Sequence, residues 1–303
     1  MTGKAPKSVL KNVEANPVQK RSLQQGSFQP GSTQPSSIPA MSTPVGTLHI
    51  VPVVWHVVHQ NEYHKLTQGT VLHQINMLNL AYKNTTTFFQ LKTINYINDP
   101  KLVHLQCCET PQEKSLKAHR IGGKETLNVF SADSGYHKLF MNIWRSKTSS
   151  VSWSTFPDSP LEMDGVVVST DRLSYDNSLP TTLIHEIGHW LGLLHTFRGG
   201  CTDPNDDFVT DTPKAAEPQR TGENGKSALS WEWKCNQVIN TCPNSPGFDA
   251  VANFMDYTNC RASFSQGQIA RIEFFRSHYR QSQQRCAPNI CWPVSSGFQV
   301  VGA

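Results

Sequence analysis

The sequence predicts an α+β fold, with a twisted mixed sheet and helices in an upper half and an irregular, disulfide-held lower half. Alternating and 3.6-residue apolar patterns, typical of strands and helices, occupy the chain from Leu48 to about residue 194. Beyond that point the chain is rich in loops and carries six of its eight cysteines. We expect the cleft between the two halves to hold an extended chain.

The predicted elements follow this division in order. Strand patterns with β-branched and aromatic residues cover Leu48–His59, Phe88–Ile97, Leu127–Phe130 and Gly165–Ser169. Helical periodicity covers Val71–Tyr82, about Thr181–Leu194 and about Ser265–Gln281. The segment 131–150 stays unplaced.

The most informative segment reads HExxHxxGxxH and begins at His185. On a helix, His185 and His189 are four residues apart and project from one face. Gly192 tolerates the left-handed backbone that ends helices, so the next turn can bring His195 to the same point. Three imidazoles and a water form the open tetrahedral zinc site of a catalytic centre, and Glu186 is placed to take the water's proton. The alternative is an amphipathic helix with surface histidines.

A methionine-containing turn lies downstream, in the run Asn253–Tyr257. Taken alone, Met255 is typical of a hydrophobic core. Combined with the long histidine motif, it matches the metzincin pattern, in which a Met-turn lies beneath the metal. We therefore predict Met255 as the Met-turn residue.

Several short motifs extend this pattern on both sides of the histidines. They are Thr155–Pro157, Asp164–Val167, His195–Phe197, Gly199–Cys201, Val209–Pro213, Asn253–Tyr257 and Phe264–Gln268. With these motifs the chain resembles the pappalysin family of metzincin zinc proteases, and within it the secreted fungal and microbial extracellular metalloproteases. The resemblance runs from about residue 47 to about residue 280 and is strongest from Asp164 to Arg271.

The resemblance implies a secreted zinc endopeptidase that hydrolyses peptide bonds in proteins by attack of a zinc-bound water. His185, His189 and His195 would bind one catalytic Zn²⁺, with Glu186 as general base and Tyr257 as a second catalytic residue. The chemistry agrees, because water attack on a peptide carbonyl develops an oxyanion that zinc and a phenol can stabilise. The alternative for Tyr257 is a plain core aromatic.

The resemblance does not extend to substrate preference. The segment between Met255 and Cys260 is shorter than is usual in the family, where it shapes the pocket for the residue after the scissile bond. Some relatives carry an acidic residue there and prefer arginine, whereas the residue before the cysteine is Asn259 in this chain. A preference for basic residues is therefore not predicted.

The cysteines favour an oxidising compartment. The resemblance implies two disulfides in the lower half, Cys201–Cys242 and Cys235–Cys260. A further pair, Cys286 and Cys291, could close a small C-terminal loop. A second, structural zinc held by the later cysteines is the alternative, although the chain has no CxxC pair.

Four acidic residues crowd one loop of the lower half, Asp203, Asp206, Asp207 and Asp211. The resemblance implies calcium binding in this region, and carboxylates and main-chain carbonyls in a turn suit a hard cation. The candidate calcium ligands are Asp206, Val209 and Asp211. A polar surface loop without calcium is the alternative.

Composition and charge limit the classes of partner and the cellular compartments that the sequence predicts. The net charge of +4 is mild and much of the basic excess falls in the first 21 residues, so nucleic-acid binding is not predicted. The longest apolar stretch, Leu48–Val58, is too short to span a membrane. Met1–Val18 lacks the apolar core of a signal peptide, which conflicts with the secreted assignment. We expect a monomer that acts on protein or peptide substrates.

Composition and the family resemblance divide the chain into a tail, a catalytic domain and an extension. Residues 1–46 are rich in Gln, Ser, Pro and Lys and are predicted to be a disordered tail or a pro-segment. Residues 47–285 form the metzincin-like catalytic domain, divided into an upper part at 47–192 and a lower part at 193–285, and 286–303 are an extension. Two functional alternatives remain: a catalytically silent metzincin-like binding module, which retention of Glu186 disfavours, and a non-secreted peptidase.

Overall fold

The computed structural model describes residues 48–60, 65–103, 109–132, 152–173, 180–204, 206–216, 235, 237–281 and 299–301. The strands are β1 (His49–His59), β2 (Thr87–Asn98), β3 (Leu127–Ala132), β4 (Ser152–Ser154), β5 (Val166–Ser169) and β6 (Gln299–Val301). The α-helices are α1 (Gln68–Ala81), α2 (Pro111–Lys117), α3 (Thr181–Trp190) and α4 (Gln266–Tyr279). Short 3-10 turns occur at Pro100–Leu102, Leu161–Met163 and Thr170–Arg172. The predicted α+β class is confirmed.

The strands form one mixed sheet in the order β4-β5-β3-β1-β2-β6. All described pairs are parallel except β4 with β5, which is antiparallel and places β4 at one edge. Parallel neighbours need crossover connections, and the helices that supply them cover the faces of the sheet. Strand β4 was not predicted, because three residues are too short to carry an alternating pattern.

The two faces of the sheet bury separate clusters of side chains. Along β1, Val53, Trp55 and Val57 lie in the larger cluster with helices α1 and α3, whereas Val58 lies in the smaller one. The same alternation runs through β5, where Val167 points to the smaller cluster. This period of two follows from the pleat of a strand. The sheet therefore separates helix α3 from helix α2, which packs on the opposite face.

Local sequence signals explain where the helices begin. The Thr67 hydroxyl accepts a hydrogen bond from Thr70 N at 3.1 Å and caps α1. Helix α4 starts with a capping box, in which Ser265 and Gln268 bond each other's backbone N–H groups. Such caps satisfy N–H groups that the first turn of a helix leaves unpaired. Within the described ranges, no helix has both the length and the apolar character needed to cross a membrane.

Helix α3 ends four residues before the predicted Leu194, and this part of the prediction was wrong. Gly192 has φ +93°, so it adopts the left-handed conformation. Leu193 N donates to Gly188 O at 2.9 Å, and Gly192 N donates to His189 O at 2.9 Å. This pair of bonds is the Schellman motif, which closes a helix at a glycine. The chain therefore turns immediately after Leu191.

Helix α4 supports this turn from behind. Arg271 Nε donates to Gly192 O at 2.8 Å, and Arg280 donates to Trp190 O through two nitrogens. Arg280 also forms a fully buried ion pair with Asp164, with 2.8 Å between Nη1 and Oδ2. Trp190 Nε1 donates to the same carboxylate. The end of α3 is thus tied both to α4 and to the segment before β5.

We expect Arg280→Met to lower the free energy of unfolding by about 3–5 kcal/mol, because it removes the nearer of the two cations, Arg280 and Arg120, that pair with the buried Asp164 carboxylate. Arg276→Met in helix α4, whose C-cap residue is Arg280, is the matched control. Its partner Glu273 is 26% exposed, so water can solvate the carboxylate that remains and the loss should be about 1 kcal/mol or less. Urea titrations measure both losses. Equal losses in the two variants would contradict the role given to the buried pair.

Lys117 is a buried amine on α2 whose burial we expect to cost stability near neutral pH. Its side chain is 1% exposed, and Nζ lies 4.9 Å from the centroid of the Phe130 ring. Nζ has no hydrogen-bond partner in the described part of the chain. Burial lowers the pKa of Lys117 to about 8; the carboxylates of Glu113 and Asp164 oppose this shift and Arg120 adds to it. The folded chain therefore releases this proton more readily than the unfolded chain does.

Lys117→Met should raise the free energy of unfolding at about pH 7 by about 1–3 kcal/mol, the penalty for burying an unpaired polar group. The pKa of the folded wild type, about 8, lies below the ordinary value of 10.5. The unfolded chain therefore binds more protons between these values, and wild-type stability rises with pH across that window. The difference in free energy of unfolding between Lys117→Met and the wild type should therefore become smaller as the pH rises through this window.

Urea titrations at about pH 7 and about pH 10 measure this change. Lys114→Met removes an exposed amine from the same helix and is the control. An advantage of Lys117→Met that is the same at both pH values would refute the assignment.

Candidate active site and metal centre

Helix α3 and the turn after it bring three histidines to one point. His185 and His189 project from one face of α3, and the chain beyond Gly192 returns His195 to that face. The Nε2 atoms lie 3.0 Å apart for His185 and His195, 3.1 Å for His185 and His189, and 3.0 Å for His189 and His195. Imidazole nitrogens about 2.0–2.1 Å from a tetrahedral zinc ion are separated by about 3.3 Å. The observed spacing is within a few tenths of an ångström of that value.

The outer nitrogens of two of these rings are fixed by carbonyl groups. His185 Nδ1 donates to Phe254 O at 2.7 Å, and His189 Nδ1 donates to Leu193 O at 2.8 Å. A carbonyl only accepts, so in each ring the proton sits on Nδ1 and the lone pair of Nε2 points to the common centre. The donor set therefore fits a divalent metal such as zinc.

Burial keeps these rings neutral. It lowers the pKa of His189 to about 4 and the pKa of His185 and His195 well below the ordinary value, and neighbouring histidines add to the shift in the last two. Neutral imidazole is the form that binds metal. In the described part of the chain, this is the one group of His, Cys, Asp or Glu side chains that meets the geometry of a metal site.

Glu186 lies beside this centre and is 8% exposed. Burial raises the pKa of its carboxyl to about 8, while the Ser154 hydroxyl and the Arg261 guanidinium oppose the shift. A bound cation would oppose the shift further, since a nearby positive charge favours the carboxylate.

The turn around Met255 lies directly under the histidines. Met255 is fully buried, and a Cβ atom placed on Gly188 of α3 would lie only 2.5 Å from its Sδ. Asn253 Oδ1 accepts a hydrogen bond from Met255 N at 2.9 Å, and Thr196 N donates to Met255 O at 3.3 Å. Gly188 is therefore needed for the close approach of this turn to the helix. The sequence motif leaves that position unspecified.

Tyr257 continues this turn to the side of the histidines. Its ring centroid lies 4.7 Å from that of His195 and 5.7 Å from that of His185. Asp256 holds the backbone here, because its Oδ1 accepts from the N–H groups of Tyr257 and Thr258 at 2.6 and 2.9 Å. The structure therefore brings Tyr257 next to the metal-binding rings.

Three carboxylates of the acidic loop in the lower half accept hydrogen bonds from other groups of the protein. Asp211 accepts from Ser265 Oγ at 2.7 Å and Gly267 N at 2.8 Å, at the start of α4. Asp207 accepts from Thr212 Oγ1 at 2.7 Å, and Asp206 bonds its own loop through Phe208 N. Val209 is buried. Calcium binding by this loop stays a prediction.

Two disulfides hold the lower half together. Cys201 is bonded to Cys242 and Cys235 is bonded to Cys260, each with 5.3 Å between the Cα atoms. These are the pairs that the family resemblance implies. The second bond lies three residues beyond Tyr257. Cys286 and Cys291 lie outside the described residues.

Three side chains around the centre were not identified from the sequence. Phe156 packs on His189 with 5.5 Å between ring centroids, and Ser154 faces Glu186. Ser154 is the last residue of β4, and Phe156 lies two residues beyond it, within the motif Thr155–Pro157. Arg261 was missed, although it directly follows a predicted half-cystine.

The chain was compared with known families and proteins. Residues 111–276 match the model of the Peptidase M43 family, described as pregnancy-associated plasma protein-A. An extracellular metalloprotease of Verticillium alfalfae is 30% identical over 237 residues, which cover 74% of this chain and 75% of that protein. An extracellular metalloprotease of Neurospora crassa is 32% identical over 228 residues, which cover 71% and 69%.

Solved structures show the same architecture. Mature mirolysin of Tannerella forsythia, in complex with a cleaved peptide, aligns with a TM-score of 0.52 at 20% identity, over 76% of this chain and 92% of that one. Mirolysin in complex with compound 9 aligns with a TM-score of 0.55, over 75% and 91%. At this identity the likeness concerns the fold, and it confirms the metzincin-like architecture.

Proposed function

Because this chain belongs to the Peptidase M43 (pappalysin) family, we propose that it is a secreted zinc endopeptidase that hydrolyses peptide bonds in proteins. One observation carries the proposal. Three neutral imidazoles converge within 3.1 Å of one another, and a buried carboxylate and a phenol lie beside them. A structural zinc site would need neither of these two groups.

His185, His189 and His195 are the proposed ligands of one zinc ion. A zinc ion held by these three rings would supply a Lewis acid, which lowers the pKa of water and polarises a carbonyl group. The carbonyl groups of Phe254 and Leu193 orient two of the rings and raise their basicity as ligands. The protein's part is thus to present three lone pairs at one point.

Glu186 is the proposed general base. It follows His185 on the same helix, and in this role its buried carboxylate would have to reach the side of the site from which water attacks. There it would take a proton from the attacking water and later deliver it to the departing amine. The small exposed fraction of Glu186 limits the water around this carboxylate, which strengthens its interactions.

Tyr257 is the proposed second stabiliser of the developing charge. A phenol hydroxyl that donates to the oxyanion contributes most in a site that excludes water. The ring is packed against His195 and lies 4.8 Å from Phe197 between centroids. These contacts and the hydrogen bonds of Asp256 fix its backbone and ring before substrate arrives.

The edge of the sheet offers a place for an extended substrate. Strand β4 has β5 as its described neighbour on one side, and Ser154 and Phe156 approach Glu186 and His189. A peptide that adds to such an edge is held by main-chain hydrogen bonds, whatever its sequence. The scissile bond would then lie over the metal centre.

Secretion is part of the proposal. It is supported by the names of the relatives, which describe extracellular enzymes, and by the two disulfides of the lower half. Disulfides form and persist in oxidising compartments. Mass spectrometry of the culture medium of the source organism tests this point, and detection of the chain only in cell extracts would contradict it.

The activity itself has a direct test. The purified full-length protein should contain one zinc ion per chain, cleave casein, lose that activity in 1,10-phenanthroline, and regain it when zinc is restored. Mapping the cleaved bonds in a peptide library then defines the products. A protein that holds zinc but cleaves neither casein nor the library would instead be a catalytically silent binding module.

A further inference from the structure

Phe156 is an aromatic side chain in direct contact with the metal centre. Its ring centroid lies 5.5 Å from that of His189, and the two ring planes are inclined at 58°. The Nε2 atom of His189 lies 3.1 Å from that of His185 and 3.0 Å from that of His195. An extended peptide advances about 3.3 Å per residue. A substrate residue one or two positions from a bond held at this centre can therefore reach the ring of Phe156.

Part of this ring is open to solvent. The side chain is half-buried, whereas His189, against which it packs, is only 7% exposed. Within the described ranges, Phe156 is not packed into any of the hydrophobic clusters. The ring therefore leaves apolar surface accessible next to a metal-binding side chain, where a group of the substrate can cover it.

The backbone that carries the ring is fixed on both sides. Thr155 N donates to Gly165 O at 3.2 Å, and Thr155 Oγ1 accepts from Gly165 N at 2.9 Å. Beyond the ring, Phe156 O accepts from Ser159 N at 3.0 Å. A side chain on such a support keeps its place before a ligand arrives, which is what selection of a substrate group requires.

Phe156 also continues the edge of the sheet at which the proposed function places the substrate. Strand β4 ends two residues earlier, at Ser154, and has β5 as its described neighbour. The same strand packs against helix α3, which carries His185 and His189. A peptide added to this edge would thus pass the ring of Phe156 on its way across the metal centre.

We infer that Phe156 is a specificity-determining residue, which forms an apolar subsite for a large aliphatic or aromatic side chain one or two residues from the scissile bond. Such a side chain would cover the accessible aromatic surface and remove it from water. A charged side chain at the same place would lose part of its hydration without gaining a partner from the ring. The inference rests on the proposed peptidase function and deepens it.

The test uses the full-length zinc-loaded enzyme and internally quenched peptides of one parent sequence. Leu, Phe, Ala, Lys or Glu is placed in turn at each of the two positions on either side of the scissile bond. At one of these positions the wild type should cleave the Leu or Phe peptide with a kcat/KM about tenfold or more above that for Ala, the range expected of an apolar subsite. Lys and Glu should be poorest there. Wild-type rates that do not differ between Leu, Phe and Ala at any position would overturn the inference.

Variants at Phe156 show whether this ring is the source of the preference. Phe156→Ala should abolish the preference at that one position, Phe156→Leu should keep part of it, and Phe156→Arg should shift it in favour of Glu. A gained preference for Glu is not expected from a change that merely loosens the fold. Phe88→Ala, which removes an exposed phenylalanine on β2, is the control and should leave every preference unchanged. Retention of the full apolar preference by Phe156→Ala would refute the assignment.

The zinc content of each variant separates substrate selection from support of the metal ligand. It should equal that of the wild type, because His189 keeps its hydrogen bond to Leu193 O. If Phe156 only supported His189, the variants would lose zinc and cleave all peptides more slowly in the same proportion, and the inference would be wrong. If the wild type cleaves none of the peptides and no casein, the peptidase function itself fails, whereas cleavage without any apolar preference removes only the role of Phe156.

Discussion

Glu186→Gln is expected to lower kcat by about a hundredfold or more while the protein keeps its zinc and its stability, because a positioned general base contributes at least that much. Glutamine has nearly the same shape as glutamate but cannot accept a proton from the attacking water. Since the side chain is buried, a neutral amide should not destabilise the fold. Cleavage of casein or a quenched peptide, measured together with the zinc content, tests the prediction.

Glu162→Gln is the control for a change of charge, because Glu162 is exposed in a 3-10 turn before β5. It should leave kcat unchanged. The role of Glu186 would be wrong if the glutamine variant cleaved at a rate close to that of the wild type. A variant that lost zinc along with activity would instead place Glu186 among the metal ligands.

His195→Ala is expected to remove both zinc and activity. Loss of a partner that only orients a ligand already lowers metal affinity by about 10–100-fold, so the loss of one of three direct ligands should exceed that range. His195 belongs to the turn after α3 rather than to the helix itself. The variant therefore tests whether the site has three protein ligands or only the two helical ones.

Elemental analysis after dialysis against a weak chelator measures the effect, and activity should fall below detection in parallel. His119→Ala, which removes an exposed histidine at the end of α2, is the control and should retain the wild-type zinc content. Wild-type zinc content in His195→Ala would leave a site formed by His185 and His189 alone. Together, the Glu186 and His195 variants separate the chemistry of the site from its occupancy.

The sequence by itself determined the parts of the site that depend on local periodicity. His185 and His189 had to share a face of any helix that contains them, and Glu186 had to lie next to the first of them. Gly192 marked the place where the chain leaves that helix. The helix nevertheless ends at Trp190 rather than Leu194, because Gly192 takes up the left-handed conformation itself. The long strands followed from their apolar patterns for the same local reason.

Short helices and strands could not be predicted from local sequence patterns. Helix α2 has seven residues and β4 has three, which is too few to repeat a 3.6- or two-residue pattern convincingly. Both are kept in place by neighbours far away in sequence, as when Trp153 Nε1 donates to Glu113 Oε1 at 2.6 Å. Their conformation is a property of the packed domain rather than of their own residues.

Only the tertiary structure decided which distant residues meet at the site. Arg280 and Asp164 are 116 residues apart in sequence and form a fully buried ion pair behind helix α3. The approach of Met255 to Gly188 and the placement of Arg261 beside Glu186 arise in the same way. The residues next to it in sequence limit a residue's backbone conformation and the face of the helix or strand from which its side chain projects. The partner it meets depends on how sheet, helices and disulfide-bonded loops fill one common volume, and that is settled by the packing of the whole chain.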